Sequence, residues 1–423
     1  MYGTYETIKY HDGGLKKLDI KYIANPNVKI DGRELTALDF LASEEINKVQ
    51  QFFNGFPEYQ PTPLHSLDNL ARETGVRKIL VKDESYRFGL NAFKVLGGVY
   101  AIGKYLSQKL GLDLAELSFS KLCSPEIRER IGDLVFVSAT DGNHGRGVAW
   151  AAKRMGQQAV IFMPKGSAQA RLESIAGEGA QVAITDYNYD DAVEYAKEYA
   201  QKHHGVMVQD TAWHGYEEIP AWIMQGYAVM AAEIIEQLRK EAIEKPTHIF
   251  LQAGVGSFAA SIQGYFSRQF GSRGPTSVIV EPENAACIFT SALANDGRPH
   301  TVKGDLATIM AGLACGAPNS IGWNILRDYA HMYVSCPDYV AAYGMRILAN
   351  PIGTDPKVIS GESGAVGLGL FGVLAHQAKY RKVLDLLKID HNAIILCIST
   401  EGATDPAGYR KVVWNGGYPL ANC

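Results

Sequence analysis

The stretch HIFLQAGVGSFAA, His248 to Ala260, runs from a short apolar, β-favouring segment through Gly-x-Gly into small and aromatic residues that suit a helix. A strand, a tight glycine turn and a helix in that order form half of a βαβ unit. The same alternation recurs along most of the chain. Further strand candidates are KILVK from Lys78, LVFVSA from Leu134, AVIFM from Ala159, QVAIT from Gln181 and VMVQD from Val206. SVIVE from Ser277, MYVS from Met332 and AIILCIS from Ala393 complete the set. Amphipathic stretches lie between them, such as 145–155, 168–175, 190–203 and 223–244, several closed by glycine. Residues 112–132 have a weaker pattern and are expected to make a helical excursion. The expectation is an α/β protein of doubly wound, mainly parallel sheets, with neither an internal repeat nor a low-complexity linker.

The totals narrow the function. In 423 residues, 41 Lys plus Arg face 45 Asp plus Glu, for a formal net charge of −4. No long block of like charge could track a phosphate backbone, so nucleic acid is not an expected partner. No apolar run spans a bilayer, and residues 1–14 lack the layout of a signal peptide, so a cytoplasmic protein is expected. The six cysteines, at 123, 287, 315, 336, 397 and 423, have neither metal-ligand spacing nor a C-x-x-C pair. Cys287 and Cys315 could meet in space, although a reducing cytosol disfavours a structural disulfide. No metal site is expected.

Four stretches carry candidate chemistry. In QAGVGSFAA the glycines let backbone N–H groups wrap an anion at a helix N-terminus. Gly254-x-Gly256-x-x-Ala259 also fits a dinucleotide fingerprint, with Glu281 where a ribose-binding acid would stand. A ligand-free tight turn is the third reading. In RFGLNAFKVLGG, Arg87 to Gly98, Asn91 is expected to cap a helix that is apolar almost all round, putting Lys94 in its first turn. Leu90, Asn91, Gly97 and Gly98 are its helical neighbours, so no local carboxylate pairs with it. Lys94 is then either a lysine that snorkels to the surface or meets a distant acid, or a desolvated nucleophile able to form a Schiff base with a carbonyl. Gly97 and Gly98 would leave room for a ring close to the backbone. SATDGNHGRG, Ser138 to Gly147, packs Thr140, Asp141, Asn143 and His144 into a loop after a strand, where α/β sheets bind ligands. CISTEGATDP ends the last strand with Ser399 and Thr400, hydroxyls that suit either a turn or a ring nitrogen.

Together, in this order, these elements resemble the fold type II pyridoxal-phosphate enzymes, the tryptophan synthase β and threonine dehydratase group, from about Pro57 to Asp405. The resemblance implies two α/β domains with pyridoxal 5'-phosphate at their interface, a large one from 1–96 plus 213–423 and a small one from 97–212. It implies that Lys94 is the Schiff-base lysine and that Asn143 holds the cofactor's phenolic oxygen. Gly254, Val255, Gly256 and Ser257 would bind its phosphate, and Thr400 would face its ring nitrogen. His144 would be a cofactor or loop contact; Glu362 either faces the ring or lies in a surface turn.

The departures point further. Asp141 stands where hydroxy-amino-acid dehydratases carry serine, and a second carboxylate, Asp210, ends VMVQD. With FKVLGG, ATDGNHG, VQDTAW, GVGSFA, SGESGA and STEGATD, the chain resembles the diaminopropionate ammonia-lyases. That resemblance implies a small amino-acid substrate, a homodimer, and a β-elimination of D- and L-2,3-diaminopropionate to pyruvate and two ammonia. Lys94 and Asp141 would take the proton from opposite faces, with Asp210 handling the substrate amine. Independently, a β-ammonium leaving group calls for nearby carboxylates, whereas a β-hydroxyl does not. A threonine or serine dehydratase-like lyase and a nicotinamide-dependent oxidoreductase are the alternatives; the second leaves Lys94 and the TDGNHG loop without a role.

Overall fold

The computed structural model describes residues 19–29 and 32–420 of the 423-residue chain. Residues 1–14, read above for a leader pattern, and Cys423 lie outside the described residues. Eleven strands are described: β1 (Lys21–Ala24), β2 (Leu64–Ser66), β3 (Lys78–Asp83), β4 (Val135–Ala139), β5 (Gln158–Met163), β6 (Gln181–Ile184), β7 (Val206–Met207), β8 (His248–Gln252), β9 (Thr276–Pro282), β10 (Met332–Cys336) and β11 (Ile394–Ser399). They form a seven-stranded sheet ordered β1-β10-β9-β8-β11-β3-β2 and a four-stranded sheet ordered β6-β5-β4-β7. Every pairing is parallel except those of the two edge strands, β1 with β10 and β2 with β3.

Alternate residues of the large sheet enter different cores. Ile249 and Leu251 of β8, with Leu396 and Ile398 of β11, pack in one cluster with helices Val95–Leu110, Glu218–Lys240 and Ser257–Phe270. Their neighbours Phe250, Ile395 and Cys397 pack in a second cluster with helices Asp338–Ala349 and Glu362–His376. A strand covered on both faces reads as an unbroken apolar run, which is why β8 and β11 stand out in the sequence. The edge strands KYIA and LHS are short and partly exposed, and neither was expected. VMVQD pairs only through Val206 and Met207. Beyond them the Gln209 amide takes over the ladder, donating to Ala139 O at 3.0 Å and accepting from Ala139 N at 2.9 Å. Asp210 is thereby released from the sheet into a loop. Residues 112–132 contribute short helices, including Phe119–Leu122 and Pro125–Ile131.

The segment that leads to Lys94 is set by buried charge. Glu233, on helix Glu218–Lys240, accepts from Arg87 Nη1 and Nη2 at 2.8 Å each and meets Lys82 Nζ at 2.7 Å. Glu84 takes Arg87 Nε at 2.9 Å, and all four side chains are fully buried. Breaking a buried pair leaves an uncompensated charge, which costs about 3–5 kcal/mol. Glu233→Ala strips one partner from two cations and is expected to lower unfolding free energy by at least that order, as measured by urea denaturation of the cofactor-free protein. A midpoint within experimental error of the parent would contradict it.

Candidate functional site

Asp83, Ala139, Gln252 and Ser399 close β3, β4, β8 and β11, and the loops that follow converge on one cavity. Its lining includes every residue singled out above as catalytic or cofactor-binding: Lys94, Asp141, Asn143, Asp210, Gly254, Val255, Gly256, Ser257 and Thr400. Ligands bind at this edge of parallel sheets because the strand ends deliver loops and helix N-termini there.

Lys94 arrives differently from the sequence expectation. Asn91 does not cap the helix: it takes a left-handed φ of 62°, and Ala92 bridges to Glu401. The helix runs Val95–Leu110, with Lys94 itself at the N-cap. Its ammonium is not unpaired either, since Nζ lies 2.6 Å from Asp210 Oδ2. Burial is the largest influence and works against the Lys94 charge, but Asp210, Tyr227 and Asp141 together outweigh it and hold the ammonium above its usual range. For Asp210, burial is likewise overcome by Lys94 and His144, leaving it at about 2. This carboxylate is 116 residues away in sequence, beyond any local pattern. Gly97 and Gly98 serve helix packing rather than a ring. A Cβ at Gly97 would fall 2.6 Å from Ile223 and Tyr227 side-chain carbons, and one at Gly98 3.1 Å from the Gly147 backbone.

In the ATDGNHG loop, Asp141 Oδ2 meets Arg171 Nη1 at 3.3 Å, and Asn143 Nδ2 donates to Glu401 Oε2 at 2.6 Å. Arg171 and Glu401 escaped the sequence reading. Arg171 sits in QARLES, which looks like an ordinary surface helix, and Glu401 was passed over for its neighbour Thr400. His144 is a loop contact, with Nε2 2.8 Å from Val208 O, and burial lowers its proton affinity. Thr400 Oγ1 accepts from Gln252 Nε2 at 2.9 Å, which leaves its own hydrogen to donate. Glu362 is in neither expected place. It is buried at the start of helix Glu362–His376, outside the cavity lining, where burial and then Glu401 push its carboxyl up to about 7.

At the glycine turn, Gly256 has φ 97° and caps helix Ser257–Phe270, whose first N–H groups have no partner within the helix. A Cβ on Gly254 would come 3.1 Å from Leu313 Cα and 3.2 Å from Cys315 Sγ. Glu281 overturns the dinucleotide reading. It is buried and accepts from Ile288 N at 2.8 Å and Phe289 N at 2.6 Å, so it caps helix Cys287–Ala294 rather than facing the cavity. Cys287 and Cys315 are both free and buried. Among the described residues no group of His, Cys, Asp and Glu could hold a metal ion, and no helix is long and apolar enough to cross a membrane.

A phosphate-bearing ring fits this arrangement. The helix N-terminus offers an anion site, and three fully buried polar atoms in the lining, Tyr227 Oη, Gln252 Oε1 and Ser363 Oγ, have no hydrogen-bond partner among the described residues. Residues 56–384 match the family model for "Pyridoxal-phosphate dependent enzyme". The diaminopropionate ammonia-lyase of Salmonella typhimurium is 52% identical over 398 residues, 94% of this chain and 98% of the relative. The chain belongs to the diaminopropionate ammonia-lyase family of pyridoxal-phosphate dependent enzymes. The crystal structure of the holo diaminopropionate ammonia-lyase from Escherichia coli superposes with a TM-score of 0.89 at 47% identity, covering 96% of this chain and 99% of that one. The same enzyme in complex with an aminoacrylate-PLP azomethine reaction intermediate gives 0.87 with the same coverage and identity. As a member of this family the protein is a carbon–nitrogen lyase that uses pyridoxal phosphate.

The Lys94–Asp210 pair has a pH signature in the cofactor-free protein. The Asp210 carboxyl is held at about 2, against about 3.9 unfolded. Its stabilisation is therefore complete above pH ~4 and fades as pH falls toward 2. Asp210→Asn is expected to lower the melting midpoint at pH 7, with a deficit that shrinks once pH drops below ~4. A deficit that is constant with pH would contradict the pairing.

Proposed function

We propose that this protein eliminates ammonia from 2,3-diaminopropionate, accepting both D and L forms and yielding pyruvate and two ammonia. The observation that carries the reading is the pair of buried carboxylates, Asp141 and Asp210, in the cavity that contains Lys94. A diamino acid brings a second ammonium, which carboxylates in the cavity can hold by charge, whereas a β-hydroxyl offers them no charge to pair with. Pyridoxal phosphate, when bound, supplies an electron sink for the carbanion at the substrate Cα. Lys94 would hold the cofactor and, released as a neutral amine when the substrate α-amine takes its place, would take the Cα proton from one face, with Asp141 taking it from the other. A neutral Lys94 no longer pairs with Asp210, which is then free to receive the substrate's second ammonium and move its proton. Asn143 holds the cofactor's phenolic oxygen, residues 254–257 hold its phosphate, and the Thr400 hydroxyl donates to the ring nitrogen. In this reading residues 1–96 with 213–423 form the cofactor-binding domain and 97–212 the small domain. The assembly is a cytoplasmic homodimer.

The test is pyruvate release by the cofactor-loaded protein from D-diaminopropionate, L-diaminopropionate and serine. Both diamino acids are expected to be substrates with kcat/KM well above that for serine; serine turnover at an equal or higher kcat/KM would make the protein a dehydratase instead. Asp141→Asn is expected to slow one enantiomer by about 100-fold or more and the other only a few-fold. Equal losses would end the two-face assignment. Lys94→Ala is expected to shift the visible absorption of the loaded protein.

A further inference from the structure

Arg171 has no part in the reaction described so far, yet it is only 6% exposed and charged. It projects from helix Gln169–Gly177, and its stem lies across Gly142, where a Cβ would come 2.9 Å from Arg171 Cδ. Nη1 reaches Asp141 Oδ2 at 3.3 Å, and Nη2 reaches Thr404 Oγ1 at 3.4 Å. Thr404 in turn donates to Glu401 Oε2 at 3.0 Å, the oxygen that accepts from Asn143 Nδ2 at 2.6 Å. A closed circuit therefore runs from Asp141 through Arg171, Thr404 and Glu401 to Asn143, two residues from its start. The guanidinium also sits in the field of the Glu401, Glu362 and Asp405 carboxylates. Lys94, Tyr227, Tyr189, His144 and Cys315 also lie within the electrostatic field of Asp141. Among the described residues no hydrogen bond reaches Asp141 Oδ1, so Arg171 occupies one carboxylate oxygen and leaves the other for the cavity.

We propose that Arg171 is the positioning residue for Asp141, fixing the orientation of that carboxylate for proton transfer at one face of the substrate. The proposal rests on the two-face assignment made above for Asp141. A buried ion pair contributes little net stability compared with an apolar pair of the same size, so a purely structural arginine is a poor use of this position. A guanidinium presents a planar fork that fixes a carboxylate's angle as well as its charge, which lysine cannot do.

The experiment compares Arg171→Met, Arg171→Gln, Arg171→Lys and Asp141→Asn as cofactor-loaded proteins, with melting temperature and visible absorption as controls for folding and loading. Values of kcat and KM are measured for both enantiomers across pH. Arg171→Met and Arg171→Gln are expected to lower kcat about 10- to 100-fold for the enantiomer that Asp141→Asn slows. KM should change only a few-fold, and the other enantiomer should be nearly unaffected. Arg171→Lys is expected to recover only part of kcat. If Asp141→Asn is selective but the neutral Arg171 variants slow both enantiomers equally or neither, Arg171 does not position Asp141. If Asp141→Asn is itself unselective, the two-face assignment fails, and the combined variant decides about Arg171: losses of Arg171→Met and Asp141→Asn that add in full overturn the proposal.

Discussion

Glu233 and the two cations it holds bind the centre of the molecule to its chemistry. The carboxylate belongs to the long helix Glu218–Lys240, one cation to β3 and the other to the turn that follows β3. Arg87 and Lys94 are separated by only six residues, and those residues adopt unusual backbone: Phe88 and Asn91 have φ values of 50° and 62°. An unsupported segment of that kind would sample many conformations. The buried charge cluster clamps its start, the Ala92–Glu401 bridge clamps its end, and Phe93 N donates to Thr400 O at 3.1 Å. Lys94 therefore emerges at a fixed point beside the end of β11. The cost of burying four charges is met because each finds an opposite partner, and the geometry is specific in a way that an apolar contact would not be.

The site repeats this logic with fewer partners. Lys94 and Asp210 satisfy each other across the junction of the two sheets, while Tyr227, Gln252 and Ser363 keep polar atoms without partners. A folded protein rarely leaves such groups bare. Their concentration around one cavity gives the cofactor a place to be recognised before any residue role is assigned. Gly254 and Gly256 shape the anion end of the same cavity, one by closeness to Leu313 and the other by its left-handed backbone.

The sequence made the fold legible where residues are buried on both sides. Runs such as IFL in β8 and IILCI in β11 carry their own signature, whereas KYIA and LHS become strands only because a neighbour offers a free edge. Loops punctuated by glycine announced the cavity for the same local reason. What stayed hidden depended on partners distant in sequence. No local pattern identifies the acid that meets Lys94, because Asp210 is not within a helical turn of it. Glu281 looked like a ribose ligand until its two backbone donors came into view. Arg171 in its helix and Gly97 in the Lys94 helix had surroundings that no single window contains.

Gly98 and Gly147 pass so closely that neither helix has room for a side chain: a Cβ on Gly147 would lie 2.7 Å from Val95 Cα. That crossing joins the turn after Lys94 to the helix that Asn143 begins. Mechanically it is a weld between the anchor and the loop facing it. Any hinge between the two sheets must then lie elsewhere in the chain, and a displacement of the four-stranded sheet would carry the first turn of the Lys94 helix with it. Helix Val95–Leu110 accordingly packs against Glu218–Lys240 on one side and against Asn143–Arg154 on the other.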